Sequence, residues 1–184
     1  MPKVLTLSGS IRHDSYNSHL ARLMGEKLHA LGADVRNLSL VDFALPLFNE
    51  DIEESAGEPE NAIALAALFA GADAIFIASP EYNNSLSPLM KNTIDWVSRQ
   101  KGGPYKHAIF GIGAVSSGKL SGVVGLSHLR DIFAKLGALV APTSLSVANS
   151  RTAFDAQGNF TDPVQGSRAD QLAEQMITIS RHPK

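Results

Sequence analysis

The sequence predicts a doubly wound α/β domain, a three-layer sandwich with five parallel strands in the order 2-1-3-4-5 and helices on both faces. Three observations predict it. Short apolar runs alternate with longer stretches of helical periodicity along the chain, which is the pattern of a parallel sheet whose strands are joined by helices. The run ADAIFIAS at 72–79 is apolar at nearly every position, as expected for a strand covered on both faces. The chain has 184 residues, 44% hydrophobic and 18% charged, enough for one ordinary domain and short for two. Residues 1–184 are therefore expected to form a single domain.

Each element follows from local chemistry. The first strand is read at 3–7, ahead of the polar loop GSIRHDSYNS. A helix begins near Asn17 or Ser18, with Leu20, Leu23, Met24, Leu28 and Leu31 on one face, and Gly32 placed to stop it. Residues 34–40 alternate as an edge strand does. Residues 41–57 carry acidic residues and few helical cues, and read as a long loop that covers something or contacts a partner. An alanine-rich helix at 58–71 leads into the central strand at 72–79. The loop PEYNNSLS then precedes a helix bearing Leu89, Met90, Ile94, Trp96 and Val97. There Lys91 and Asp95 are spaced for an ion pair, and Trp96 reads as core. A fourth strand at 106–115, the loop SSGK, a helix at 123–136 stopped by Gly137, and a fifth strand at 138–147 follow. A turn at Gln157-Gly158-Asn159 and a last helix at about 163–180 complete roughly five strands and five helices.

Composition excludes several chemistries. There is no cysteine, so disulfides, thiolate nucleophiles and zinc-thiolate sites are ruled out. The net charge of -2 gives no footprint for nucleic acid or an anionic membrane. The apolar run in MPKVLTLSGS is too short for a signal segment or a membrane span, so a soluble, cytoplasmic protein is expected. The histidines at 13, 19, 29, 107, 128 and 182 have no metal-ligand spacing. There is no G-x-S-x-G elbow.

In a 2-1-3-4-5 sheet, ligands bind beyond the carboxyl ends of the strands, beside the switch between strands 1 and 3. Three polar loops should converge there. In the first, Ser10, Ser15, Asn17 and Ser18 offer short donors at a helix amino terminus and Arg12 offers a forked cation, a set suited to phosphate. Ser15, Asn17 or Ser18 could instead simply cap the helix. Glycine is absent at 11 and 14, where Ile11 and Asp14 stand, so the loop is no dinucleotide fingerprint and a mononucleotide phosphate fits better. In the second loop, Pro80-Glu81-Tyr82-Asn83 brings a flat ring and backbone groups, although such residues also mark ordinary turns. The third, Gly113 to Lys119, nearly matches a P-loop, but Leu120 stands where that motif needs a hydroxyl for magnesium.

GSIRHDSYNS, PEYN and KNTIDW together resemble the NADPH-dependent FMN reductase family, which includes quinone, azo-dye and chromate reductases. LFNEDIEE, SHLRDIFAKLGALVAP and FDAQGNFTD extend the resemblance over nearly the whole chain. The resemblance implies a flavodoxin-like fold, non-covalent FMN, NADPH or NADH as hydride donor, and a homodimer or homotetramer with flavin sites near the subunit interface. It implies that Ser10, Arg12, Ser15, Asn17 and Ser18 hold the FMN phosphate. Pro80, Glu81, Tyr82 and Asn83 would line the isoalloxazine ring, and Ser116, Ser117 and Gly118 would close the third side. Two stretches depart from the family pattern. Ser85-Leu86-Ser87-Pro88 replaces S-x-P-G or S-x-P-P, and Ser121-Gly122-Val123-Val124 lacks the arginine of G-G-x-R.

The implied activity is hydride transfer from NADPH to bound FMN, then electron transfer to a quinone, flavin, azo compound or chromate by a ping-pong scheme. The flavin carries the chemistry, so no catalytic acid or base is assigned. The rival reading is a flavodoxin-type electron carrier without direct NAD(P)H oxidation; a flavin-free binding domain on the same fold is a third.

Overall fold

The computed structural model describes residues 1–118 and 120–180; the Lys119 and His182 of the sequence reading lie outside them. The central sheet contains β1 (Lys3–Ser8), β2 (Asp34–Leu38), β3 (Ala74–Ala78), β6 (Ile109–Val115), β7 (Leu139–Val140) and β8 (Leu145–Val147). Its order is β2-β1-β3-β6-β7, with β8 also on β6, and every pairing is parallel. This is the flavodoxin-like arrangement, and β2 lies on the edge as its alternation suggests.

Both faces of the sheet are covered because both parities of the strands are apolar. On one side, Leu5, Leu7, Ile75, Ile77, Phe110 and Ile112 pack under α3 (Glu60–Ala70), α4 (Pro88–Ser98) and α5 (Val123–Lys135). On the other, Val4, Phe76, Ala78 and Ile109 meet Leu20 and Met24 of α1 (Tyr16–Ala30) and Leu172 and Met176 of α6 (Pro163–Ser180). Among the described residues no helix is long and apolar enough to cross a membrane.

Three expectations are corrected. The stretch 41–57 is not all loop: Glu50–Ala56 forms α2. Asn49 caps it by accepting from the Asp51 N–H, and Glu50, Asp51 and Glu53 favour its positive end. It has no buried residue, so no apolar period could announce it. The segment before it does cover something. The Pro46 carbonyl accepts from Asn92 Nδ2 at 2.9 Å and from Trp96 Nε1 at 2.8 Å, which straps it across α4, and Trp96 is fully buried.

The fifth strand is two pieces, β7 and β8, because Pro142 cannot donate to the ladder. Arg130 holds the break by donating to the Ala141 carbonyl at 2.9 Å and Ser144 Oγ at 2.7 Å.

PEYNNSLS is a small hairpin, β4 (Glu81–Tyr82) and β5 (Ser85–Leu86), rather than an open loop. Asn83 and Asn84 both have positive φ, 51° and 60°, as a type I′ turn requires and asparagine tolerates. The tail turn is as expected, with Phe154 bridged to Phe160. Lys91 and Asp95 pair at 2.7 Å.

Candidate functional site

The carboxyl ends of β1, β3 and β6 converge, and side-chain hydrogen bonds fix the loops that leave them. Ser87 caps α4 by accepting from the Met90 N–H, and its hydroxyl donates to the Gly9 carbonyl at 2.7 Å. That bond ties the first loop to the helix after the second. Gly9 sits close to its neighbours: a Cβ there would lie 3.1 Å from Met90 Cε and 3.3 Å from Pro80, so these side chains would have to give way by a few tenths of an ångström.

Asn17 ties the first loop to the third. Its Nδ2 donates to the Val115 carbonyl at 3.1 Å, and its Oδ1 accepts the Val115 N–H at 2.9 Å. β3 ends at Ala78, opposite Gly113, so β6 runs past its neighbour. The Asn17 carboxamide takes the place of the missing strand and completes the ladder at Val115.

Glu81 joins the hairpin to α5. That helix starts at Gly122 without a side-chain cap, and Glu81 Oε2 accepts the Gly125 N–H at 2.7 Å instead. Gly122 has φ +78°, and a Cβ on it would lie 2.7 Å from Ala114 Cβ. A side chain at 122 would therefore push the start of α5 away from the sheet.

The result is a cleft of about 230 Å³ lined by Ser10, Arg12, Ser15, Asn17, Pro80, Glu81, Tyr82, Ser116 and Ser117 from the sequence reading, together with Tyr16, Val115 and Ser150. Ser18 faces an adjoining cleft on the far side of the first loop. Asn83 sits in the hairpin turn, and Gly118 donates its N–H to Ser116 Oγ at 3.2 Å; neither lines the cleft. Ser150 escaped the sequence reading because it lies far along the chain with no motif around it. It arrives by donating its N–H to the Ser116 carbonyl at 3.1 Å.

The donor chemistry at the first loop suits an anion. Ser10 Oγ accepts the Arg12 N–H and Ser15 Oγ accepts the Ser18 N–H, so each hydroxyl keeps its own proton to donate. The first-turn N–H groups of α1 add a positive end. Among the described residues Arg12 has no ion-pair partner. On the opposite wall, Tyr82 is half exposed and offers its ring to solvent. The described residues hold no cluster of three or more His, Asp or Glu able to bind a metal ion.

Comparison with known proteins bears on the family and the fold. The family described as NADPH-dependent FMN reductase matches residues 2–152. An NAD(P)H-dependent FMN reductase of Pseudomonas aeruginosa is 32% identical over 178 residues, covering 95% of this chain and 91% of the relative. A quinone reductase of Escherichia coli is 36% identical over 139 residues, covering 75% and 72%. Among solved structures, the flavoenzyme NAD(P)H:(acceptor) oxidoreductase FerB of Paracoccus denitrificans superposes with a TM-score of 0.79 at 24% identity, covering 98% and 97%; at that identity it supports the fold alone. The family match over most of the chain and the curated relatives agree: this chain belongs to the NADPH-dependent FMN reductase family.

Proposed function

We propose that the protein is a single-domain FMN-dependent NAD(P)H oxidoreductase that passes electrons to a small-molecule acceptor, of which quinone is the first to test, by a ping-pong scheme. The observation that carries the reading is the convergence in one cleft of Ser10, Arg12 and Ser15 with Glu81, Tyr82 and Ser116. Bound FMN supplies the site that accepts hydride and then delivers electrons.

The protein's own residues hold and shape. Arg12, the Ser10 and Ser15 hydroxyls and the first-turn N–H groups of α1 bind the FMN phosphate. Asn17 keeps that turn in register with β6. The 80–83 backbone and the Tyr82 ring position the planar ring system. Ser116 and Ser117 bound it on the third side. The open face of the cleft admits donor and acceptor in turn, the geometry a ping-pong scheme needs. The same reading carries a homodimer or homotetramer, which sedimentation equilibrium checks.

The test is an anaerobic titration of FMN-loaded protein with NADPH, followed in the flavin's blue absorbance band. Bleaching, with colour restored by a quinone, is expected. Flavin that binds but stays oxidised would make the protein an electron carrier. Arg12→Ala should weaken FMN retention by at least about tenfold, the scale of a charge-assisted bond, with folding intact; unchanged affinity would remove Arg12 from the phosphate site.

A further inference from the structure

A further cleft, of about 350 Å³, opens beside the candidate flavin cleft and shares Ser117 and Ser150 with it. Its other lining residues are Asn149, Arg151 and Thr152, from the segment that follows β8.

The lining has one sign of charge. It comprises a guanidinium, a carboxamide and three hydroxyls, and it includes no carboxylate. Arg151 is exposed and has no ion-pair partner among the described residues. Ser150 is only 7% exposed, yet its hydroxyl has no hydrogen-bond partner among the described residues, and it lines both clefts. A side chain so buried ordinarily bonds a neighbour; here the hydroxyl is left for a molecule that enters. Thr152 Oγ1 donates to the Asn149 carbonyl at 3.3 Å. The remaining donors are Arg151, the Asn149 amide and the Ser117 and Ser150 hydroxyls.

The segment is pinned on both sides. The Ser150 N–H donates to the Ser116 carbonyl at 3.1 Å and the Thr152 N–H to the Asn149 carbonyl at 2.8 Å. The Thr161 hydroxyl donates to the Thr152 carbonyl at 2.6 Å. Arg151 is thus presented from an ordered turn, and ligand binding has less backbone freedom to freeze.

Among the described residues that line the two clefts, the cations are Arg12 and Arg151. Arg12 is taken by the FMN phosphate in the reading above, which leaves Arg151 for an incoming molecule. Ser116 and Ser117 bound the ring system in that reading. A cation beside Ser117 therefore stands at the edge of the place where an acceptor must stack to take electrons. A charged substituent on a small aromatic acceptor reaches across the shared Ser117–Ser150 wall, and the guanidinium fork matches the oxygens of a sulfonate or carboxylate.

We infer that the cleft at Arg151 receives the anionic substituent of the electron acceptor, and that Arg151 makes the protein favour aromatic acceptors bearing a sulfonate or carboxylate over neutral ones. The inference rests on the reductase reading above. A quinone of this kind takes the hydride equivalent given up by NADPH and one proton from solvent, and leaves as the hydroquinone. Its anionic group is unchanged, so Arg151 sets specificity and moves no proton.

The test uses FMN-loaded protein with naphthoquinone and naphthoquinone sulfonate as acceptors. Arg151→Ala should lower kcat/KM for the sulfonate at least about tenfold, the scale of one bond between charged partners, and leave that for naphthoquinone unchanged, with Arg151→Lys between. Comparing variant with wild type on each acceptor cancels the difference in potential between the two. Calorimetry of the oxidised protein with naphthalene sulfonate, which takes no electrons, should show a similar loss of affinity in Arg151→Ala. In about 1 M salt, where the screening length is about 3 Å, wild type and variant should converge. Arg151 is exposed, so the melting temperature should not move. An equal loss with both quinones, or no loss with the sulfonate, would overturn the inference. So would release of FMN from Arg151→Ala, which assigns Arg151 to the flavin phosphate, or slower bleaching by NADPH with the quinone step unchanged, which assigns it to the hydride donor. If NADPH fails to bleach the wild-type flavin, the reductase reading falls instead, and the calorimetry still decides whether the cleft binds an aromatic anion through Arg151.

Discussion

Asn17 is expected to act on stability first and on flavin binding through it. Asn17→Ala removes both hydrogen bonds to Val115, at 2.9 and 3.1 Å, and leaves the Val115 N–H and carbonyl without partners at the end of β6. An unsatisfied buried backbone group costs about 1–3 kcal/mol. Val115 lines the open cleft, so water reaches part of what Asn17 vacates, and the sum for the two groups falls near the low end, about 2–3 kcal/mol. For a domain of this size, about 2–4 °C of melting temperature accompanies each kcal/mol, which gives a fall of about 4–12 °C. The assay is thermal unfolding of the flavin-free protein, because bound ligand would add its own stabilisation and hide the effect. Asn17→Asp sharpens the test. It keeps an acceptor for the Val115 N–H but sets a carboxylate oxygen against the Val115 carbonyl where Nδ2 now donates, so it should destabilise at least as much as alanine. If flavin-free Asn17→Ala melts within about 1 °C of wild type yet loses FMN affinity, the ladder-completing role is refuted and Asn17 is simply a phosphate ligand.

The remaining predictions are local. Tyr105 is buried among Phe69, Phe110 and Phe133 with no partner for its hydroxyl among the described residues, and burial pushes its pKa upward. Tyr105→Phe should therefore stabilise the protein by about 1 kcal/mol, seen as a melting temperature about 2–4 °C higher; a fall would mean that the hydroxyl has a partner. Glu81→Ala should cost about 1 kcal/mol by uncapping α5 at Gly125, and amide exchange in the first turn of α5 should rise with it. The Arg99 guanidinium donates to both Glu53 oxygens, at 3.1, 3.0 and 2.7 Å, and holds the Glu53 carboxyl below its ordinary value of 4.5. A depressed carboxylate pKa contributes stability above the unfolded value and loses it as pH falls through the folded one. The stability difference between wild type and Glu53→Gln should thus be present at neutral pH and vanish as the solution is acidified below that range; a difference that persists in acid would rule out the ion pair as its source.

The parts of the fold that were legible in the sequence are those with a period. β3 and β6 are apolar on both parities, and α1 and α4 carry their buried residues at helical spacing, so the elements and the two cores could be read directly, and the sheet order followed from the doubly wound pattern their alternation fits. The parts that were not legible lack one. α2 has no buried residue, and its helix depends on the Asn49 cap and on Arg99 reaching from α4, a partner 46 residues away. The break between β7 and β8 is signalled by Pro142, but the sequence does not say that Arg130 and Arg168 hold the two pieces on one neighbour. Within the site, the loops announced themselves by composition, whereas the division of labour among their residues did not.

That division follows from where strands stop. β3 ends two residues before β6, so the backbone of Val115 faces the gap that a ligand loop must cross. A carboxamide is the one side-chain group that carries a donor and an acceptor in the geometry of a peptide, and Asn17 brings it from the first turn of α1. Ser87 does the same service for Gly9 with a single hydroxyl, and Glu81 for Gly125 with a carboxylate. Asn17 and Glu81, which a motif would assign to ligand binding, thus also close a backbone gap between two elements. Substitutions in these loops should therefore separate into two groups. Arg12, which has no ion-pair partner among the described residues, should change binding with the fold intact; Asn17, Glu81 and Ser87 should change the flavin-free melting temperature as well. A common response in all four, either binding alone or stability alone, would contradict this division.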